Sequence, residues 1–206
     1  MVKPGATEAE ALQAEAWRVA SSVPDPELPY LTIGELGMVA AVRVLETGVG
    51  GDTLEVDLTP TYTGCPAVQV IEASVVNALR EAGIPARVRR VLSPAWSTDR
   101  ITASGREKMR ANGIAPPHHL PADEAGDNAL VDRSSPADAG ATTKVVNIVA
   151  TLFQDEGGHS QSQKTIECPY CGAHETRRVS VFGSTPCKSQ FQCDDCHEPF
   201  EYFKCH

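Results

Sequence analysis

No apolar run in this 206-residue chain approaches the roughly 20 residues that a bilayer-spanning helix requires. The opening stretch, MVKPGATEAEALQAEAW, lacks the basic start and apolar core of a secretory leader, so a cytoplasmic location with no membrane contact is expected. No segment is basic. Residues 1–115 carry 11 Lys and Arg against 14 Asp and Glu, residues 116–165 carry 3 against 7, and residues 166–206 carry 4 against 6. The charge pattern that neutralises phosphates is therefore missing, and nucleic acid is not an expected partner. Residues 1–115 contain no histidine, which removes the usual base for a Cys–His nucleophile there. Neither a GxGxxG nor a Walker A pattern is present, nor any internal repeat.

What remains is a chain of 41% hydrophobic and 22% charged residues, the balance of a globular protein. Its length suits one mid-sized domain and one small one. Seven cysteines in a chain expected to be cytoplasmic argue for metal or redox chemistry over a disulfide framework, and six of the seven fall between residues 168 and 205.

The hydrophobic pattern predicts an α+β fold: a small mixed sheet with helices on one face, followed by a separate small β module. A first helix is expected from Thr7 to Ser21, with Thr7 and Glu10 forming a capping box and Leu12, Ala16, Val19 and Ala20 an apolar stripe. Prolines 24, 26 and 29 end it. MVAAVRVLE and LEVDLTP read as two strands joined by a TGVGGD hairpin turn. In the second strand Leu54, Val56 and Leu58 face one way and Glu55, Asp57 and Thr59 the other. An amphipathic helix follows from Pro66 to Ala82, with Val68, Ile71, Val75 and Leu79 on its apolar face and Gly83 as its stop. A third strand over residues 86–92 and a short helix in SGREKMRANG close a domain spanning 1–115. Residues 116–165, rich in Pro, Ala, Asp, Gly and Ser, read as a linker. Within it VVNIVATLF at 145–153 fits either a strand or a short helix.

Residues 166–206 carry the sharpest signal. Cys168-Pro-Tyr-Cys171 and Cys193-Asp-Asp-Cys196 are separated by 21 residues. Each pair can wrap a metal ion in a tight turn whose backbone N–H groups bond the sulfurs. Cys168, Cys171, Cys193 and Cys196 are therefore the expected ligands of a tetrahedral four-sulfur site, which fits zinc or iron. A closed site of this kind is more often structural than reactive. Gly172 suits the positive φ that follows the first pair, and His197 takes that position in the second. TRRVSVFG, KSQFQC and EPFEYFK read as three strands of a β-ribbon, with Phe200, Tyr202 and Phe203 expected against the metal site. Some forty residues bury too little surface to fold alone, and a structural zinc ion, which contributes about 10–16 kcal/mol in peptides, supplies the difference. Cys187 and Cys205 are left over. They read as buried thiols or, in a sharper alternative, as extra metal contacts with His197 or His206.

Cys65, in TYTGCP, stands alone in the first domain. Its place at the cap of the strongest helix would lower the thiol pKa, with Asp25 and Glu27 able to come near in the fold. From the local sequence alone it reads equally as a reactive thiol or as a small residue that opens a helix.

DPELP at 25–29, TPTYTGCP at 59–66, LSPAWSTDRIT at 92–102 and GIAPP at 113–117 resemble the iron–sulfur-assembly domain shared by SufT-like proteins. Joined to FGSTPCKSQFQCDDCHEPFEYFKCH at 182–206, that domain resembles the PaaD (PaaJ) family, small subunits of the phenylacetyl-CoA epoxidase system. The resemblance covers residues 7–117 and 166–206 and reaches nothing between them. It implies a non-catalytic accessory protein of aerobic phenylacetate degradation that assists iron or iron–sulfur cluster assembly. Cys65 would be the functional thiol, handling iron or a cluster transiently with Asp25 and Glu27. The epoxidase's di-iron oxygenase and its iron–sulfur reductase are the implied partners, and related assembly domains often form homodimers. The alternative within the same system is a rubredoxin-like subunit that carries electrons on a four-sulfur iron site.

Overall fold

The structure, a computed structural model, describes residues 8–45, 53–62, 64–117 and 166–204. Helix α1 (Glu8–Ser21) is followed by strands β1 (Val39–Leu45) and β2 (Thr53–Leu58), helix α2 (Val68–Glu81) and strand β3 (Ala86–Arg90). A short 3₁₀ turn at Thr98–Arg100 leads into helix α3 (Ala103–Ala111) and a two-residue strand β4 (Ile114–Ala115). The expected αββαβα order is thus present. The Thr7 cap, the TGVGGD turn, Thr63, residues 145–153, Cys205 and His206 lie outside the described residues.

β2 is the centre of the first sheet. It pairs antiparallel with β1, Val42 opposite Val56, and parallel with β3, Val56 opposite Val88. The parallel pairing requires a crossover, and α2 supplies it. Period-two alternation then assigns the faces. Leu54, Val56 and Leu58 are buried beneath the helices, where Val68, Ile71, Val75 and Leu79 of α2 and Ala16, Val19 and Ala20 of α1 join the same core.

The opposite face is polar in sequence and is nonetheless buried. Glu55 and Asp57 are only 3% and 1% exposed, because Arg43, Arg87 and Arg89 from the flanking strands close over them. Arg89 Nε lies 2.8 Å from Asp57 Oδ1 and Arg87 Nη2 2.6 Å from Glu55 Oε2, and Arg43 also pairs with Asp57. The arginine stems cover the sheet while their heads remain half-exposed.

The C-terminal ribbon is β5 (Thr176–Ser180), β6 (Lys188–Cys193) and β7 (Pro199–Phe203), antiparallel in the order β5-β6-β7. The α+β domain and the ribbon are joined in two places. β4 adds itself parallel to β7, with Ile114 opposite Glu201 and Ala115 opposite Tyr202. Phe203 and Cys187 are buried in the same core as the first domain's helices. The ring of Phe203 meets Trp96 edge-on at 6.3 Å, and Trp96 Nε1 donates to the Leu36 carbonyl at 2.8 Å.

This corrects the expectation for the ribbon aromatics. Phe200 and Tyr202 do pack in the cluster that holds Cys168 and Cys193, and Phe191 stacks on Phe200. Phe203 points the other way, because strand alternation puts it on the opposite face from Tyr202.

Candidate metal centre and thiol site

The two Cys-x-x-Cys turns of the ribbon converge. The four sulfurs of Cys168, Cys171, Cys193 and Cys196 all lie within 4.8 Å of one another. Cys168 and Cys196 are 3.7 Å apart and Cys171 and Cys193 3.6 Å. A tetrahedron of sulfurs about 2.3 Å from a central zinc has edges of about 3.8 Å, so the spacing fits such an ion. Four thiolates this close repel one another and require a cation. The N–H of Cys196 points at Cys193 Sγ across 3.5 Å and is the main cause that lowers that thiol to about 7. At Cys171 and Cys196 the backbone N–H groups are outweighed by burial and the neighbouring sulfurs, which raise the first and push the second up to about 12. The backbone closes each turn, Gly172 N–H donating to the Cys168 carbonyl at 2.9 Å and Cys193 N–H to the Glu198 carbonyl at 3.1 Å. The residue after each pair adopts positive φ, 76° at Gly172 and 63° at His197.

The second site gathers around Cys65. The loop DPELP is shaped by Asp25, whose Oδ1 accepts the N–H groups of Glu27 at 2.8 Å and Leu28 at 2.9 Å. This places both acidic charges within reach of the Cys65 thiol. The Tyr62 hydroxyl is pushed up to about 12, by burial and then by the charges of Cys65, Cys187 and Glu27. Thr61, on the same loop, is buried and lines a cavity of about 390 Å³ with Trp96 and Leu92.

One expectation fails here. Cys65 does not occupy the cap of α2. Pro66 and Ala67 form a lead-in turn, the cap position is Ala67 and the helix begins at Val68. Nor is the thiol pKa lowered. Burial raises it above the ordinary cysteine value, Glu27 and Asp25 add to that, and the N–H groups of Ala67 and Val68 oppose them without prevailing.

The ribbon brings a residue to this place that spacing in the sequence does not announce. Cys187 is 5% exposed, with Thr185 Oγ1 at 3.0 Å and Glu27 Oε2 at 3.7 Å. Burial, then the Glu27 charge, raise its thiol to about 11 against the opposing Thr185 hydrogen bond and the Lys188 charge. His197 closes the turn at the other end of β6, so Cys187 is partnered by the first domain and not by His197. No local pattern could reveal a contact between positions 27 and 187.

Fold and sites together define a class: an α+β domain bearing one thiol beside acidic groups, joined to a four-cysteine ribbon. Comparison with known proteins gives the same two parts. A family described as "Iron-sulfur cluster assembly protein" matches residues 13–92, and one described as "PaaD zinc beta ribbon domain" matches residues 154–204. An Escherichia coli (strain K12) protein, named as one of the subunits of a "Putative 1,2-phenylacetyl-CoA epoxidase", is 35% identical over 192 residues, covering 93% of this chain and 92% of that protein. Among solved structures, a domain of unknown function DUF59 from Bacillus anthracis shares 27% identity over 48% of this chain and 91% of its own, with a TM-score of 0.42. Rv1466 from Mycobacterium tuberculosis, described as associated with Fe–S complex assembly and repair, shares 35% identity over 55% of this chain and 94% of its own, with a TM-score of 0.29. The chain belongs to the PaaD family of phenylacetyl-CoA epoxidase subunits.

Among the described residues, no helix is long and apolar enough to cross a membrane.

Proposed function

We propose that this chain is an accessory, maturation subunit of the phenylacetyl-CoA epoxidase system, which handles iron or an iron–sulfur cluster at Cys65 and does not itself catalyse the epoxidation. The observation that carries the reading is the Cys65 thiol set beside Asp25 and Glu27 in an assembly-type domain. A sulfur ligand flanked by carboxylates suits an iron cargo. It binds only on giving up its proton, and partial exposure leaves a route out. The cargo's destinations are the iron-bearing oxygenase and reductase subunits of the same system, met in the cytoplasm.

The four-cysteine centre has a different role. Cys168, Cys171, Cys193 and Cys196 hold a structural zinc ion. With all four positions taken by sulfur, zinc supplies a cross-link between two turns and offers no open position for a substrate. The ribbon is thereby stiffened beside the first domain, where Cys187 meets Glu27 of the DPELP loop.

Replacement tests the reading. In a phenylacetate-degrading bacterium lacking its own copy, wild-type chain should restore growth on phenylacetate. Cys65→Ala should fold, retain its zinc and fail to restore growth. Full restoration by Cys65→Ala would remove the role given to that thiol. Metal analysis separates the electron-carrier alternative: the purified protein should contain zinc and be colourless, whereas the visible absorption of ferric sulfur-ligated iron in the ribbon would favour electron transfer.

A further inference from the structure

Arg100 ends the short 3₁₀ turn, and its Nη1 is buried with no hydrogen-bond partner among the described residues. No carboxylate among them pairs with its guanidinium. Ser21, the last residue of α1, is in the same state: its Oγ is buried and unpartnered among the described residues. Both side chains belong to the wall of one open hollow of about 560 Å³, bounded by the end of α1, the TIGELG turn at 32–37 and the segment 100–102. A buried donor left unmet is costly, and two in one wall point to a group that enters from outside. The rest of the wall does not answer Arg100. Glu35, the one carboxylate there, is held by Lys108 at 2.8 Å, Ser104 Oγ at 2.6 Å and the Thr32 N–H at 3.1 Å. Thr32 and Thr102 accept the N–H groups of Glu35 and Gly105, which leaves each hydroxyl proton for a further acceptor. Trp17, one helical turn before Ser21, completes the wall and is 44% exposed.

We infer that this hollow binds a small organic carboxylate, with Arg100 as its ion-pair partner, the Ser21 hydroxyl as a hydrogen-bond donor and Trp17 as the surface for an apolar body. A guanidinium fork matches a carboxylate in shape as well as charge. The hydroxyls of the wall suit the same acceptor. An exposed indole offers a large apolar surface at little cost in conformational freedom. The volume lies in the range of small-molecule sites. Arg100 and Trp17 together favour an acid with an apolar body over a bare anion, because phosphate would meet the arginine and leave the indole uncovered. The inference is independent of the role given to Cys65.

Two glycines shape the hollow. A Cβ at Gly34 would lie 2.5 Å from Ser21 Cβ, and one at Gly37, whose φ is 67°, would overlap the Arg100 carbonyl. The TIGELG turn therefore closes directly on the residues that carry the two unmet groups. The hollow also stands at the foot of the loop that carries Asp25 and Glu27. That loop is a narrow hairpin: the Gly34 N–H donates to the Ser21 carbonyl at 3.1 Å, the Ile33 N–H to Val23 at 2.9 Å and the Asp25 N–H to Leu31 at 2.9 Å. A ligand bound at Ser21 and Arg100 braces the base of that hairpin.

Calorimetry and tryptophan fluorescence on the full zinc-loaded chain test the site, with acetate, hexanoate, phenylacetate, phenylacetamide and inorganic phosphate as probes. Wild type should bind hexanoate and phenylacetate saturably, one per chain and about tenfold or more tighter than acetate, because the longer bodies cover Trp17. Phenylacetamide, the same body without the charge, should not compete, and phosphate should bind no better than acetate. Arg100→Gln should weaken both longer acids by about tenfold or more, and Arg100→Lys should recover part of the loss. Trp17→Ala should bring hexanoate and phenylacetate down to the affinity of acetate. Melting temperature and zinc content are measured for each variant. Trp17 is exposed, so its replacement, with the phenylacetamide comparison on wild type, decides the matter if Arg100→Gln does not fold. Cys65→Ala should bind every probe as wild type does. Wild type that binds no carboxylate saturably overturns the inference. So does binding that Arg100→Gln leaves unchanged, phenylacetamide that competes as well as phenylacetate, phosphate that binds more tightly than the longer acids, or a Trp17→Ala variant that keeps the full preference over acetate.

Discussion

The ring of Phe203, in the last strand of the ribbon, meets the ring of Trp96 edge-on with centroids 6.3 Å apart. Trp96 belongs to the loop that follows β3, so this contact fastens the two modules through their cores. Phe203 is 1% exposed. Truncating a buried aromatic costs about 3–5 kcal/mol, a large part of the stability of a domain this size. Phe203→Ala should therefore lower the melting of both modules together, followed by Trp fluorescence for the first domain and by zinc release for the ribbon. Loss of zinc with an unchanged fluorescence transition would show that the contact couples nothing.

Zinc removal should propagate in the same direction. The ribbon's antiparallel strands carry Cys193 at the end of β6, and Cys187 and Phe203 lie in the first domain's core. Without the ion the ribbon loses the stabilisation that structural zinc provides, about 10–16 kcal/mol in peptides. Chelation, or Cys171→Ser at an exposed sulfur, should lower the melting temperature of residues 8–117 as well as unfold residues 166–204. Circular dichroism with and without chelator reads the effect, and an unaltered helical signal and midpoint would count against it.

Much of this arrangement is legible in the sequence because its causes are local. Leu54, Val56 and Leu58 alternate with Glu55 and Asp57 and so declare a strand. Val68, Ile71, Val75 and Leu79 recur at helical spacing, and the paired Cys-x-x-Cys turns specify their own geometry. What the sequence conceals has non-local causes. Ile114 and Ala115 form a strand too short to carry a pattern, and only pairing with β7 makes it one. Glu55 and Asp57 read as the polar side of an alternating strand, but Arg43, Arg87 and Arg89 bury them from neighbouring strands. Cys65 looks activated when only its helix is considered. Its pKa rises because the fold buries it next to Glu27 and Asp25. The meeting of Glu27 with Cys187 joins residues that nothing nearby in the chain relates.

The two zinc turns offer a matched pair of substitutions. Gly172 and His197 occupy equivalent positions with φ of 76° and 63°. Left-handed backbone costs a residue with a side chain about 1–2 kcal/mol, and glycine nothing. His197→Gly relieves that strain but gives the unfolded chain more freedom, so the net gain should be no more than about 1 kcal/mol. Gly172→Ala should destabilise by about 1 kcal/mol, since its Cβ meets no close backbone and the conformational strain acts alone. Chemical denaturation of the zinc-loaded proteins measures both. A stabilising Gly172→Ala would contradict the turn geometry.

Asp57 should make the fold acid-labile. Its carboxylate is held below the usual range, chiefly by the hydrogen bonds from Arg89 and then by Arg43, with burial opposing them. A group whose native pKa lies below its unfolded value contributes fully above the ordinary carboxylate range. That contribution is lost as falling pH protonates the unfolded chain first, and it is gone below the native pKa. Stability of the wild type should therefore fall as the pH drops through and below the ordinary carboxylate range. Asp57→Asn removes the charge that Arg43 and Arg89 bond, and should cost about 1–3 kcal/mol near neutrality. The difference between the two proteins should shrink steadily on acidification, because a protonated Asp57 and the amide that replaces it are nearly equivalent to the arginines. Urea midpoints from neutral pH into the acid range measure it, and a gap between variant and wild type that stays constant or widens in acid would show that Asp57 is not titrating as its partners require.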